Sequence, residues 1–197
     1  MIAIIVGLGN PSPRYVTTRH NAGFWVVDNM AVQASTPFRT NAKFFGEVCR
    51  IEIPLPSQKG ENLTCWLLKP NTYMNNSGQA VAALANYYKV PTEQILVVHD
   101  DLDFSPGIAR LKKGGSDCKH NGLKSIIAHL GERQFLRLRL GIGHPGHRAD
   151  VTNHVLSPPS RDEQIAIEDA INVVLEVMPL IVAGELDKAM QQLHSHT

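Results

Sequence analysis

The side chains best suited to chemistry fall in five short polar clusters. They are Asn10 after Gly7-Leu8-Gly9, His20 within Thr18-Arg19-His20-Asn21, Asn75 within Tyr73-Met74-Asn75-Asn76, the acidic block His99-Asp100-Asp101-Leu102-Asp103, and His120-Asn121-Gly122. Imidazole takes up and returns a proton near neutral pH, so His20 can serve as a general base toward water. A carboxylate bonded to one ring nitrogen would fix the tautomer and stabilise the imidazolium, and any carboxylate of the acidic block could do this. The same block also suits Mg²⁺, which prefers several oxygen ligands. The neutral amides of Asn10, Asn75 and Asn121 can donate to an oxyanion or a substrate carbonyl. Taken singly, His20 also fits a helix cap, and each asparagine a cap or a turn.

Several familiar sites are excluded. Gly7-Leu8-Gly9-Asn10-Pro11-Ser12 begins like a dinucleotide fingerprint, but Ser12 stands where the third glycine is needed and Pro11 disturbs the phosphate-binding turn. The chain has no G-x-x-x-x-G-K-[ST] phosphate loop and no G-x-S-x-G nucleophile elbow. His144-Pro145-Gly146-His147 spaces two histidines three apart, yet proline and glycine favour a turn and no carboxylate lies beside them. Cys118 has only Lys119 to lower its pKa and no evident base. With Cys49 and Cys65 it makes three cysteines without a C-x-x-C pair, which argues against both zinc and a disulfide framework.

The clusters sit at the ends of predicted elements. Ile2–Leu8 is a continuous apolar run of strand type ending at Gly9-Asn10-Pro11, and a helix is predicted over 21–34. Strands over 46–53 and 63–68 form a hairpin about the polar stretch 54–62. A helix begins after Asn76 as N-cap with Gln79 at its third position. Strands over 94–99 and 108–112, a helix over 121–130 and a strand over 136–142 follow, the last alternating Leu with Arg. Ser160-x-x-Glu163 is a capping box for a long helix, and a short helix covers about 184–193. The pattern predicts an α/β fold, a single domain over 1–197 with a twisted mixed β-sheet and helices on both faces. In such sheets ligands gather at the loops leaving the strand ends.

Composition agrees: 197 residues, 43% hydrophobic and 19% charged, are ordinary for one globular domain. No apolar run approaches the roughly 18 residues of a membrane span, and the first residues lack a charged leader, so a cytosolic protein is expected. The formal net charge of +1 is unevenly spread: residues 104–150 hold nine Lys and Arg against three Asp and Glu, while 151–197 hold two against seven. The basic block fits either an anionic partner on one face or a solvated face balanced by an acidic helix. No conspicuous apolar stripe is left over, which predicts a monomer.

Taken together, the clusters resemble bacterial-type peptidyl-tRNA hydrolase. The match comprises Val6-Gly7-Leu8-Gly9-Asn10-Pro11 with Tyr15, Thr18-Arg19-His20-Asn21 with Gly23-Phe24, and Tyr73-Met74-Asn75 with Ser77-Gly78. His99-Asp100-Asp101-Leu102-Asp103, His120-Asn121-Gly122-Leu123, Arg137-Leu138-Arg139 and Gly141-Ile142-Gly143-His144-Pro145-Gly146 complete it. The resemblance implies an esterase that needs no metal or cofactor and cleaves peptidyl-tRNA between the peptide and the 3′-terminal ribose. It implies His20 as base, Asp100 as its support and Asn10, Asn75 and Asn121 as contacts to substrate or water. Asn10 also stands at the position linked to telling blocked from free aminoacyl-tRNA. Tyr15, Tyr73, Met74 and His120 would line the substrate site, and Lys112 and Arg139 would grip acceptor-end phosphates. Phosphate contacts of that kind position the substrate without reading bases. The loop Gly114-Gly115-Ser116-Asp117-Cys118-Lys119 departs from the family's usual richer glycine content and additional histidine, and Ser12-Pro13 replaces a more usual glycine and stiffens its turn. Two rival readings are a non-catalytic RNA-binding module of the same fold and a metal-dependent phosphoesterase built on Asp100, Asp101 and Asp103.

Overall fold

The computed structural model describes residues 1–56 and 60–195; part of the polar stretch predicted to join the hairpin lies outside the described residues. Among the described residues seven strands, β1 Ile4–Gly7, β2 Arg39–Asn41, β3 Gly46–Pro54, β4 Asn62–Pro70, β5 Ile95–Asp101, β6 Ala109–Lys113 and β7 Leu136–Gly141, form one sheet. Its order is β2-β3-β4-β1-β5-β7-β6. The four central strands run parallel, and antiparallel pairs β2/β3, β3/β4 and β6/β7 close both edges, giving the mixed sheet that the hairpin predicts.

Among the described residues there are six α-helices: α1 Ala22–Gln33, α2 Ser77–Tyr88, α3 Asn121–Leu130, α4 Val151–Val155, α5 Arg161–Ala183 and α6 Leu186–Ser195. Strand alternation divides the core in two. Ile5, Leu96, Val98 and Leu138 face a cluster with Val26 and Val27 of α1, Ile171 and Val174 of α5 and Leu193 of α6. Ile4, Val6, Ile95 and Val97 face the other, with Val81 and Leu84 of α2 and Leu123 and Ile126 of α3. Burial on both faces is why the central strands read as continuous apolar runs.

Ser160 and Glu163 form the predicted capping box at the start of α5. The prediction for α2 needs correcting: Asn76 precedes the helix but makes no side-chain cap. A 3₁₀ turn, Met74–Asn76, leads into α2 and leaves Asn76 at φ −118°, ψ 9°, outside the extended backbone that aims a capping side chain at the helix N–H groups. The edge strand β2 and the five-residue α4 escape sequence reading because each is too short to show a period. Among the described residues no helix is long and apolar enough to cross a membrane.

Candidate active site

Two glycines set where His20 lies. A Cβ on Gly7 would fall 2.4 Å from the carbonyl oxygen of Gly23, and one on Gly23 would fall 2.4 Å from the Leu8 nitrogen and 2.3 Å from the Val98 carbonyl oxygen. Helix α1 therefore starts flush against β1 and β5, and the 3₁₀ turn Arg19–Asn21 before it hangs over the end of β5. Arg19 pins this turn from the other side, donating to the carbonyls of His154 and Ser157 and to Glu163 at 2.8 Å. Asn21 clasps Asn10: the Asn10 backbone N–H donates to Asn21 Oδ1 at 2.9 Å, and Asn21 Nδ2 donates to the Asn10 carbonyl at 3.0 Å. Asn10 Oδ1 in turn accepts the Met74 N–H at 2.9 Å, so its orientation is fixed and Nδ2 is the donor it can offer a ligand.

Asp100 is the centre of the cluster. His20 Nδ1–H donates to both of its carboxylate oxygens at 2.9 Å, and His120 Nε2–H donates to Oδ1 at 3.0 Å. His120 caps α3, its Nδ1 accepting the N–H groups of Gly122 and Leu123 at 3.1 and 3.4 Å, which puts its ring proton on Nε2. Burial works against a charged His20, but the Asp100 charge and hydrogen bond outweigh it and raise the pKa above the ordinary 6.5. Burial likewise opposes ionisation of Asp100, yet the two histidines hold its carboxyl well below the usual carboxylate range. With Nδ1 committed, His20 Nε2 carries the lone pair.

His99 lies behind this group, its ring 5.0 Å from that of His120 in an edge contact. Its Nδ1–H donates to the Asp100 carbonyl at 2.7 Å, and among the described residues Nε2 is buried without a partner. Burial, then the neighbouring His120, push its pKa down to about 3.

The remaining predicted residues divide. Asn75 and Asn121 are exposed, Asn121 directly following His120, and Tyr73, 56% exposed, precedes the turn Met74–Asn76 between β4 and α2. Tyr15 is half-buried with the Arg14 guanidinium 4.5 Å from its ring centre. Met74 is buried in the core, packed beneath Gly122 at the start of α3, so it supports the cleft from below. Lys112 is exposed on β6, whereas Arg139 on β7 is tied to Asp101 at 2.7 Å and Asp103 at 3.2 Å and lies over the Phe104 ring.

In the loop 114–119, the buried Arg137 donates to the carbonyls of Ser116 and, at 2.7 Å, Gly115. Asp117 is used inside the loop, its carboxylate accepting the Lys119 N–H at 2.7 Å. His144 Nδ1 accepts the Gly146 N–H, the turn that the sequence suggests.

His20, Asp100 and His120 place three ligand-type atoms within 4.8 Å of one another. They meet at hydrogen-bond spacing, with both ring protons aimed at the carboxylate, so a cation there would have to displace both. Asp101 accepts the Asp103 N–H as well as Arg139. Asp101 and Asp103 thus share Arg139 while Asp100 holds two imidazoles, so all three carboxylates are taken up by protein donors, unlike the convergent oxygens of a Mg²⁺ site.

A family model described as peptidyl-tRNA hydrolase matches residues 4–197. The chain belongs to the peptidyl-tRNA hydrolase family. It is 52% identical to the peptidyl-tRNA hydrolase of Methylobacillus flagellatus, covering 100% of this chain and 98% of that one. It is also 52% identical to that of Nitrosospira multiformis, covering 98% and 97%. The crystal structure of peptidyl-tRNA hydrolase from Acinetobacter baumannii superposes with a TM-score of 0.93 at 42% identity, covering 100% of this chain and 96% of that one. For a peptidyl-tRNA hydrolase, three supporting side chains went unread in the sequence: Asn21, Arg19 and Arg137. Each bonds backbone groups eleven or more positions away, and residue type alone carries no sign of that. His120, predicted to touch substrate, is bonded to Asp100; its place just before a helix was the available signal.

Proposed function

We propose that this chain hydrolyses the ester joining a peptide to the 3′-terminal ribose of tRNA, with His20 as general base. The observation that carries the reading is the 2.9 Å contact of His20 Nδ1 with the buried Asp100, which fixes the tautomer and leaves Nε2 for a water proton. Water loses a proton to Nε2 and its oxygen bonds to the ester carbonyl carbon. Asn10 Nδ2, with Asn75 beside it, donates to the oxyanion that forms. Collapse breaks the bond to the ribose 3′-oxygen, which takes the proton back from the imidazolium. The products are a peptide carboxylate and tRNA with a free 3′-hydroxyl.

Asn121, Tyr15 and Tyr73 border the bound peptide ester. Lys112 and Arg139 meet acceptor-end phosphates, Lys112 exposed and without an ion-pair partner among the described residues and Arg139 with its charge largely balanced by Asp101 and Asp103. The supporting observation is that Arg110, Lys112, Arg137 and Arg139 share one face of β6 and β7, in line with the end of β5. The enzyme is read as a cytoplasmic monomer.

The test is release of tRNA from N-acetylated aminoacyl-tRNA by wild type and His20→Ala, with and without EDTA. The variant is expected to lose about 10²- to 10⁴-fold in turnover while still binding tRNA. Near-normal turnover by the variant, or activity abolished by the chelator, overturns the mechanism.

A further inference from the structure

On the opposite side of Asn10 from the basic strands lies a cavity of about 160 Å³, at the carboxyl ends of β1 and β4. Asn10 lines it, so it opens directly beside the catalytic cluster, and its walls include the apolar faces of Val16, Phe24 and Trp25. At its back is Lys69, whose ammonium is 2.7 Å from Asp28 and 3.1 Å from Glu47. One cation is thus shared by two carboxylates, leaving a net negative charge. The exposure is uneven in the same sense: the Lys69 side chain is 15% exposed, and those of Asp28 and Glu47 are 46% and 40% exposed. A group entering the cavity therefore meets carboxylate oxygens before it meets the ammonium.

The layout along the sheet edge gives the cavity an occupant. Basic residues stand over β6 and β7, His20 and Asp100 over β5 and β1, and the cavity over β1 and β4. If tRNA phosphates take the basic side and the ester sits at His20, the acyl chain leads away from the tRNA, past Asn10. We propose that this cavity is the subsite for the peptide residue preceding the esterified one, and that Asp28 and Glu47 make it select an ammonium group there. That ammonium is either a lysine side chain or the free N-terminus of a dipeptide. The inference rests on the hydrolase reading above. Apolar walls accept the aliphatic stem of such a residue while its charge reaches the carboxylates, as long basic side chains do at protein surfaces. An acidic side chain in the same place meets uncompensated negative charge.

The test compares kcat/KM for a set of tRNAs that all carry phenylalanine at the ester. The preceding residue is N-acetyl-lysyl, N-acetyl-leucyl, N-acetyl-glutamyl or leucyl with a free N-terminus. The substrate bearing the selected ammonium should be cleaved roughly three- to five-fold better than N-acetyl-leucyl, the range expected of a partly exposed ion pair, and the glutamyl substrate should be worst. Preference for the lysyl substrate identifies the side chain as the source, and preference for the unblocked leucyl substrate identifies the N-terminus.

Ratios between substrates cancel any general loss of activity in a variant. D28N and E47Q, singly and together, should bring the ratio toward one, while K69M, which removes the competing cation, should raise it. A ratio of one in wild type, or a ratio unchanged by D28N and E47Q, overturns the subsite. N-acetyl-phenylalanyl-tRNA, which has no second residue, separates the two proposals. If wild type fails to cleave it, the hydrolase reading falls; if it is cleaved and the dipeptide ratios are flat, only the subsite does.

Discussion

Asp100 and Asp101 are consecutive residues at the end of β5, both buried, and they serve opposite sides of the molecule. Among the described residues the Asp100 carboxylate is bonded by two imidazoles, those of His20 and His120, a side-chain type whose protons can leave or return. Asp101 is bonded by the Arg139 guanidinium, whose proton cannot. Strand alternation turns one toward α1 and the start of α3 and the other toward the basic strands. The same carboxyl chemistry is thus placed to serve a proton-carrying ring on one side and holds a cation still on the other. The partner, set by which face the residue occupies, determines the role.

The largest effect should come from the Asp100 side. Asp100→Asn keeps the shape and removes the charge, so turnover on N-acetylated aminoacyl-tRNA should fall by about 10²-fold or more. The pH profile should change with it. In wild type the rising limb, where His20 loses its proton, lies above 6.5, because Asp100 outweighs burial. In the variant burial remains without the carboxylate, so the limb should move below that value. A limb that stays in place would separate His20 from Asp100 and erase the contrast between the aspartates.

Next is the Asp101 side, where the exposed Lys112 and the carboxylate-bound Arg139 should differ. Lys112→Ala should lower tRNA affinity several-fold and reduce the slope of log K against log salt by about 0.7 to 0.9, the contribution of one phosphate. Arg139→Gln should reduce the slope by less, since its charge is already balanced in the free enzyme. Equal slopes in filter-binding titrations would show that the arginine leaves its aspartates on binding.

The smallest effect on turnover is expected at His99, on the Asp101 face yet bonded to the Asp100 carbonyl; its signature lies in stability. Its pKa is depressed in the folded protein, so below 6.5 the unfolded chain binds a proton that the folded chain refuses. Stability should therefore fall as pH drops from 6.5 toward about 3, by up to about 1.4 kcal/mol per pH unit from this group. His99→Asn keeps a donor near the Nδ1 position and cannot titrate. Urea denaturation between pH 7 and 5 should show a shallower loss in the variant, whatever its absolute stability. His20 acts in the reverse sense: the stabilisation its charged form gains from Asp100 is present below 6.5 and lost as pH rises through the raised folded value.

Much of this architecture can be read along the chain because its signals are local. The apolar run over 2–8, the Leu/Arg alternation over 136–142 and the Ser160/Glu163 box each state their own conformation through spacing or capping chemistry. Asn76 misled because its capping role depends on the backbone angle that the preceding turn imposes. His20 and Asp100 were found as residue types at strand and helix ends, and their pairing rested on the resemblance. They stand 80 positions apart, and nothing local selects Asp100 over Asp101 or Asp103.

The sequence alone established an α/β chain with proton-transfer groups at the junctions and a basic stretch late in the chain, since periodicity and composition act over a few residues. The fold settled which partner each charged group has. It joined His120 to Asp100, enclosed Arg139 between two aspartates while leaving Lys112 exposed, and set Lys69 between Asp28 and Glu47. Those pairings depend on distances of a few ångströms between residues tens of positions apart, and only the packing of helices against the sheet fixes such distances.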